Sequence, residues 1–243
     1  HQDMNALEQT LTETADCGLQ LVVTDGVFSM EGDVAKLPEM ASLCRRHNAV
    51  LVVDDSHGTG VLGPRGRGSA EHFELPISAG GVDIVTSTFG KALGGGNGGF
   101  VAGSAQLVDY LVQRSRPHLF SNALAPPLAC AAYQAICILE QEPERLARLH
   151  ANVETMRNGL REIGYNVVDS PTGIIPIMIG DTAEAIRLSD RLLSMGIFVV
   201  GFGFPVVPEG HARLRVQMSS EHSAAQIEQT LEAFASLRAE GGR

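Results

Sequence analysis

Three short apolar runs, each ending in a polar cluster, restrict the folds open to this 243-residue chain. Residues 19–24 end in Asp25-Gly26, residues 49–53 end in Asp54-Asp55-Ser56-His57, and residues 82–86 lead into Ser87, Thr88 and Lys91. Between the first two lies a segment, 37–47, in which Leu37, Met40, Ala41 and Cys44 recur at helical spacing. Strand, helix and strand with wholly apolar strands imply a parallel sheet buried on both faces. Ligands of such sheets bind beyond the carboxyl ends of the strands. The three polar clusters, together with the loop from Asp25 to Ser29, therefore converge on one rim. A further strand is expected over residues 99–103.

The remainder alternates in the same way. Helices are expected over 4–16, 104–114 and 128–140, with an irregular connection from 114 to 127. Pro143 opens a helix as an N1 proline. Leu146, Leu149, Val153, Met156, Leu160 and Ile163 keep one face of that helix apolar as far as Gly164. Strands are expected over 166–168, 174–179, 197–200 and 212–218. Asp181–Glu184 and Ser223–Gln226 read as capping boxes that open two more helices. The expected organisation is a mostly parallel α/β large domain over 1–140, a connecting helix over 141–164, and a small α+β domain over 165–243.

Composition removes several functions. The net charge is −10, tryptophan is absent and aromatics make up 5%, so neither a basic face nor a supply of stacking rings marks a nucleic-acid binder. No apolar run is long enough to span a bilayer. Cys17, Cys44, Cys130 and Cys137 form no Cys-x-x-Cys pair, which removes a zinc ribbon or dithiol motif and points to a reducing cytoplasm. The chain begins His1-Gln2-Asp3-Met4 and enters a helix almost at once, so it is expected to be part of a longer protein.

Lys91 carries the most chemistry. It follows a buried strand and three hydroxyls, and five glycines occupy six positions from Gly94 to Gly99. A phosphate loop of the G-x-x-x-x-G-K-[S/T] type is excluded by Val85 and Ala92. A lysine whose amine is tuned by desolvation or by nearby charge is the residue of choice for a Schiff base, and pyridoxal phosphate is the expected cofactor. Asp54 fits the acid that such a cofactor needs against its pyridine nitrogen. Asp54, Asp55 and His57 alone are a weak donor set for a transition metal, and no metal is expected. Thr88, three residues before Lys91, is placed for a phosphate oxygen. Ser29 and His57 are candidates for hydrogen bonds to cofactor or substrate. Arg213 and Arg215 alternate on one side of a strand, and an arginine in a cleft is a bidentate clamp for a carboxylate. A solvated edge strand is the plainer reading of the same pair.

The segments Thr88-Phe-Gly-Lys91, Val53-Asp-Asp-Ser-His57, Asp25-Gly-Val-Phe-Ser-Met30 and Leu214-Arg215 resemble the α-oxoamine synthases, pyridoxal-phosphate enzymes of fold type I. Residues 114–126 and 204–215 look most like the glycine C-acetyltransferase branch. The resemblance implies a three-layer, mostly parallel large domain, incomplete here, and a homodimer with shared active sites. It implies condensation of glycine with acetyl-CoA in threonine and glycine metabolism. Alternatives are an 8-amino-7-oxononanoate synthase-like reaction on alanine and a longer acyl thioester, or a catalytically silent fragment. Residue by residue it implies that Lys91 binds the cofactor and moves the glycine α-proton. Asp54 would meet the pyridine nitrogen, and His57 and Ser29 the ring hydroxyl and substrate carbonyl. Thr88 would meet the phosphate, Ser121 the phosphate of the partner subunit, and Arg215 the glycine carboxylate. The segment that carries the family's N-terminal arm, glycine-rich phosphate turn and ring-stacking residue is expected to lie upstream of His1.

Overall fold

The computed structural model describes residues 1–241, which form two compact units. The first comprises His1–Phe28 and Val34–Pro143, the second Ser29–Asp33 and the described residues from Glu144 onward. The chain thus leaves the first unit for five residues, among them Ser29, before returning to it.

The first unit runs α1 (Met4–Glu13), β1 (Leu21–Asp25), α2 (Leu37–His47), β2 (Val50–Asp54), the single turn α3 (Ser69–His72), β3 (Ile84–Thr88), β4 (Gly99–Gly103), α4 (Ala105–Arg114), α5 (Arg116–Phe120) and α6 (Pro126–Gln141). The strands make one sheet in the order β1-β2-β3-β4. The first three are parallel, and β4 returns antiparallel to β3. The sheet is mostly parallel, as expected. Leu11 from α1 and Leu37, Met40, Ala41, Leu43 and Cys44 from α2 close one face of it, against Val22, Leu51, Val53, Val82 and Val85. The termini of α2 follow from its sequence. Asn48 takes a left-handed conformation at its end, and Arg45, Arg46 and His47 sit in the last turn, where the helix dipole favours cations.

Of the two faces expected to be buried, one is covered among the described residues. Leu21 is 57% exposed, Val23 69% and Val101 45%, so apolar strand residues that alternate with the core set face outward. The apolar character of these strands suggests two buried faces; within this unit only one face is covered. The same holds further on. No residue of α4 or α5 is buried, and α6 buries only Ala132.

The second unit contains α7 (Pro143–Glu162), β5 (Ile174–Gly180), α8 (Thr182–Ser194), β6 (Val200–Phe202), β7 (Ala212–Gln217) and α9 (Ala224–Gly241). Its sheet is antiparallel in the order β5-β7-β6. The capping box expected at Ser223 forms, with Ser223 and Gln226 exchanging bonds of 2.9 and 3.3 Å. At Asp181 only the cap half forms: Asp181 accepts from the Glu184 amide at 2.7 Å, while the Glu184 carboxylate pairs with Arg187. The strand expected over 166–168 is reduced to one bridge, Val167 to Ile177. Met178 donates to Asn166 and Val168 donates to Pro176, but Pro176 has no amide to return. The strand expected over 197–200 begins only at Val200. Gly196, at φ 82°, ends α8, and the Ile197 amide is spent on the Leu192 carbonyl.

Leu51 is fully buried at the centre of the first sheet. Leu51→Ala in the full-length protein is expected to cost about 2–5 kcal/mol in denaturant unfolding. A loss below about 1 kcal/mol would show that the core is not where the strands place it.

Candidate functional site

Parallel pairing sets the ends of β1, β2 and β3 side by side. Asp25 is in register with Asp54, and Asp54 with Thr86. The ladder continues past the strand ends, with the Gly26 amide donating to Asp54 O and the Asp55 amide to Thr86 O, both at 2.7 Å. Each observed strand runs one or two residues beyond the expected one, so the acids lie in the strands and are held by the sheet. Lys91, His57, Asp54 and Thr88 are thereby brought to one rim of the first unit.

Lys91 Nζ lies 3.0 Å from His57 Nε2. The Lys91 amine can donate to His57 Nε2 when the ring carries its proton on Nδ1. Asp54 is half-buried, and one of its carboxylate oxygens accepts the Ser56 amide at 3.0 Å. Its other oxygen has no hydrogen-bond partner among the described residues, which leaves an acceptor at the rim. Asp25 completes the electrostatics. Burial first, then the Asp54 charge, raises its carboxyl above the ordinary range, and Lys91 opposes them. These groups fit the cofactor expected from the sequence: an amine to hold it, an imidazole beside the amine, and a carboxylate with an open oxygen for a ring N–H.

Thr88 is occupied differently from the expectation. Its hydroxyl donates to Gly98 O and accepts from the Gly90 amide, both at 3.1 Å. It ties down the ends of the glycine loop that carries Lys91. The loop is closed further by Gly95 N to Phe89 O at 2.7 Å and Gly94 N to Lys91 O at 3.0 Å. Its glycines serve this packing. A Cβ on Gly95 would stand 2.9 Å from Ala132 Cα of α6, and Gly98 takes φ 88°. Ser121 is exposed just after α5, and its amide donates to Pro117 O at 3.0 Å. Among the described residues no hydrogen bond ties it to the Lys91 cluster.

Ser29 and Arg215 belong to the second unit. Arg215 Nη1 donates to Ser29 O at 2.9 Å, and its guanidinium lies 5.2 Å from the centre of the Phe202 ring. Arg213 is buried and pairs with Glu31 at 3.0 Å. The edge-strand reading of this pair is overturned, because β7 is the central strand of three. Burial also lowers the Arg215 guanidinium from its ordinary value.

Two acids escape selection from the sequence. Asp25 stands out there only as part of a polar cluster, although its place after an apolar run matches that of Asp54. Asp55 reads in the sequence as a conceivable metal donor, yet it is 1% exposed. Nothing local in the sequence distinguishes a buried aspartate from its half-buried neighbour.

Known proteins resemble this chain in sequence and fold. The profile described as "Aminotransferase class I and II" matches residues 1–234. The chain is 46% identical over 238 residues to 8-amino-7-oxononanoate synthase of Marinobacter nauticus, covering 98% of this chain and 59% of that protein. It is 42% identical over 236 residues to 2-amino-3-ketobutyrate coenzyme A ligase of Escherichia coli, covering 96% and 58%. A solved structure of SPT with a PLP internal aldimine superposes with a TM-score of 0.93 at 31% identity, covering 100% of this chain and 60% of that one. The chain thus spans about three-fifths of the length of the curated relatives it matches. Both of these relatives are α-oxoamine synthases.

If Gly95 is present to let the lysine loop meet α6, Gly95→Ala should destabilise the full-length protein by about 1–3 kcal/mol. Unchanged stability in denaturant unfolding would contradict that packing.

Proposed function

The chain belongs to the aminotransferase class I and II family of pyridoxal-phosphate enzymes, and from that premise we propose that the protein condenses glycine with acetyl-CoA to form 2-amino-3-oxobutyrate and CoA. The observation that carries the reading is the Lys91–His57 contact at 3.0 Å beside Asp54 on the strand-end rim. The chain has two lysines. Lys36 precedes α2 and bonds the Gln2 carbonyl at 3.3 Å, which leaves Lys91 as the amine of the rim.

Bound pyridoxal phosphate supplies an electron sink for the carbon that loses its α-proton. Lys91 would hold the group covalently and take up the α-proton at Nζ. His57 Nε2 orients that amine and offers a second base 3.0 Å away. Asp54, as a carboxylate, would keep the ring nitrogen protonated. Arg215 is the proposed ligand of the substrate carboxylate, with Ser29 O and the Phe202 ring fixing its guanidinium. Thr88 acts in this reading through the lysine loop, and as a phosphate ligand its hydroxyl proton would turn away from Gly98 O. The new carbon–carbon bond forms between the glycine α-carbon and the thioester carbonyl, and CoA leaves as the thiol.

The choice of glycine and acetyl-CoA is supported by residues 114–126 and 204–215, whose sequence resembles glycine C-acetyltransferase. A second reading, alanine with a longer acyl thioester, is favoured by the 46% identity to the Marinobacter nauticus synthase. The proposal includes a cytoplasmic homodimer in which Ser121 contacts the phosphate of the partner subunit. Support for a partner is the exposure of Val108, Tyr110, Val112, Leu119, Phe120 and Tyr133 on α4, α5 and α6. Among the described residues no helix is long and apolar enough to cross a membrane.

Steady-state rates of the full-length protein decide between the substrates. A kcat/KM for glycine with acetyl-CoA at least about tenfold above that for alanine with pimeloyl thioester is expected, about the discrimination one or two methylenes can supply. The reverse preference would overturn the substrate choice and leave the family chemistry standing. Lys91→Ala should lower kcat by about 10²–10⁴-fold or more, and a smaller loss would remove Lys91 from proton transfer.

A further inference from the structure

We propose that Asp55 is a positioning residue whose buried carboxyl fixes the loop carrying His57 to the ends of β2 and β3, and so sets the Lys91–His57 contact. The inference deepens the proposed function and rests on it for the cofactor arm of the test only.

Position 55 joins three pieces of chain. Its amide donates to Thr86 O on β3 at 2.7 Å. Its carbonyl accepts from the amides of Gly58 and Thr59 at 3.0 and 2.9 Å, which turns the chain tightly around His57. One carboxyl oxygen, Oδ2, accepts the Ser69 amide at 2.9 Å and lies 3.5 Å from the Thr59 hydroxyl. Ser87, next to Thr88 on β3, donates its hydroxyl to Thr59 Oγ1 at 2.9 Å and approaches Asp55 O at 3.3 Å. Both ends of the loop from Ser56 to Ser69 are therefore anchored on one residue, the start through its carbonyl and the end through its carboxyl.

The socket is cut to this carboxyl. A Cβ placed on Gly26, Gly58 or Gly68 would overlap its oxygens, so glycines from the end of β1 and from both ends of the loop make room for it. Two buried atoms there, Asp55 Oδ1 and Ser69 Oγ, have no hydrogen-bond partner among the described residues. Both would be struck by a Cβ on Gly26, so they face the same small space. The Ser69 hydroxyl is a donor that can turn toward Oδ1 across that space. Burial pushes the carboxyl up to about 6, with the Asp54 charge adding and the Ser69 and Thr59 hydrogen bonds opposing. Burial disfavours the charged form, and the carboxyl serves here as the acceptor for the Ser69 amide. Its neutral isostere, asparagine, keeps that acceptor and should do the same work.

The test uses the full-length protein with Asp55→Ala, Asp55→Asn and Thr59→Val, each first shown to be folded by circular dichroism. Without cofactor, amide hydrogen exchange at Gly58, Thr59 and Ser69 should quicken by about tenfold or more in Asp55→Ala. With added pyridoxal phosphate, the dissociation constant read from visible absorbance should rise by a similar factor. Asp55→Asn should restore both to within about threefold of wild type, because it keeps the acceptor. Thr59→Val, which removes only the hydroxyl shared by Asp55 and Ser87, should move both in the same direction by less. It replaces Asp55→Ala if that variant does not fold. Wild-type exchange in Asp55→Ala, or in Thr59→Val when it stands in, overturns the proposal, as does failure of asparagine to restore. If wild type takes up no cofactor, the proposed function fails, and the exchange arm still decides the role of Asp55.

Discussion

The register of three parallel strands is the constraint on which the rest depends. Asp25 beside Asp54 and Asp54 beside Thr86 is a consequence of backbone pairing, and it levels the strand ends so that the loops leaving them share one rim. A shift of β2 by one residue would reverse every side chain between the sheet faces, burying Asp54 and exposing Val53. The apolar set under α1 and α2 forbids that shift. Core packing on one face of the sheet is in this sense what aims the acids at the rim.

On that frame the polar residues divide into those that meet the rim and those that hold it. Lys91 and His57 meet each other at 3.0 Å, and Asp54 offers an oxygen. Thr88 and Asp55 are turned to the frame: Thr88 straps the glycine loop behind Lys91, and Asp55 gathers the loop behind His57. The glycines belong to the frame as well. Gly95 allows α6 to approach the lysine loop, while Gly26, Gly58 and Gly68 surround the Asp55 carboxyl. Low side-chain volume near the rim is thus used for packing polar groups and backbone closely, and this closeness fixes the two bases relative to each other.

Much of this was legible in the sequence. Apolar runs of four to six residues, broken by a helical repeat, are enough to announce parallel strands, and the polar residues after them announce the rim. Lys91, Asp54 and His57 follow from position alone. The exposed sheet face was not legible, since Leu21 and Val23 look the same in sequence whether covered or bare. Nor was the burial of Asp55, because its distinction from Asp54 arises from Ser69, fourteen residues away, and from glycines in three separate segments. In the second unit, Pro176 cut short the pairing of residues 166–168 through an amide it does not have. The excursion of Ser29–Asp33 into that unit is likewise set by long-range bonds, such as Arg215 to Ser29 O and Thr172 to Gly32 O. Local pattern gives no sign of them.

Lys91 is, in the proposed function, the amine of a pyridoxal-phosphate site built on this rim. Borohydride reduction of the full-length protein after addition of pyridoxal phosphate, followed by peptide mass spectrometry, tests it directly. One reduced adduct per chain is expected, on the peptide containing Lys91, and none in the Lys91→Ala protein. An adduct on another lysine, or an adduct that persists in Lys91→Ala at the same yield, would contradict it.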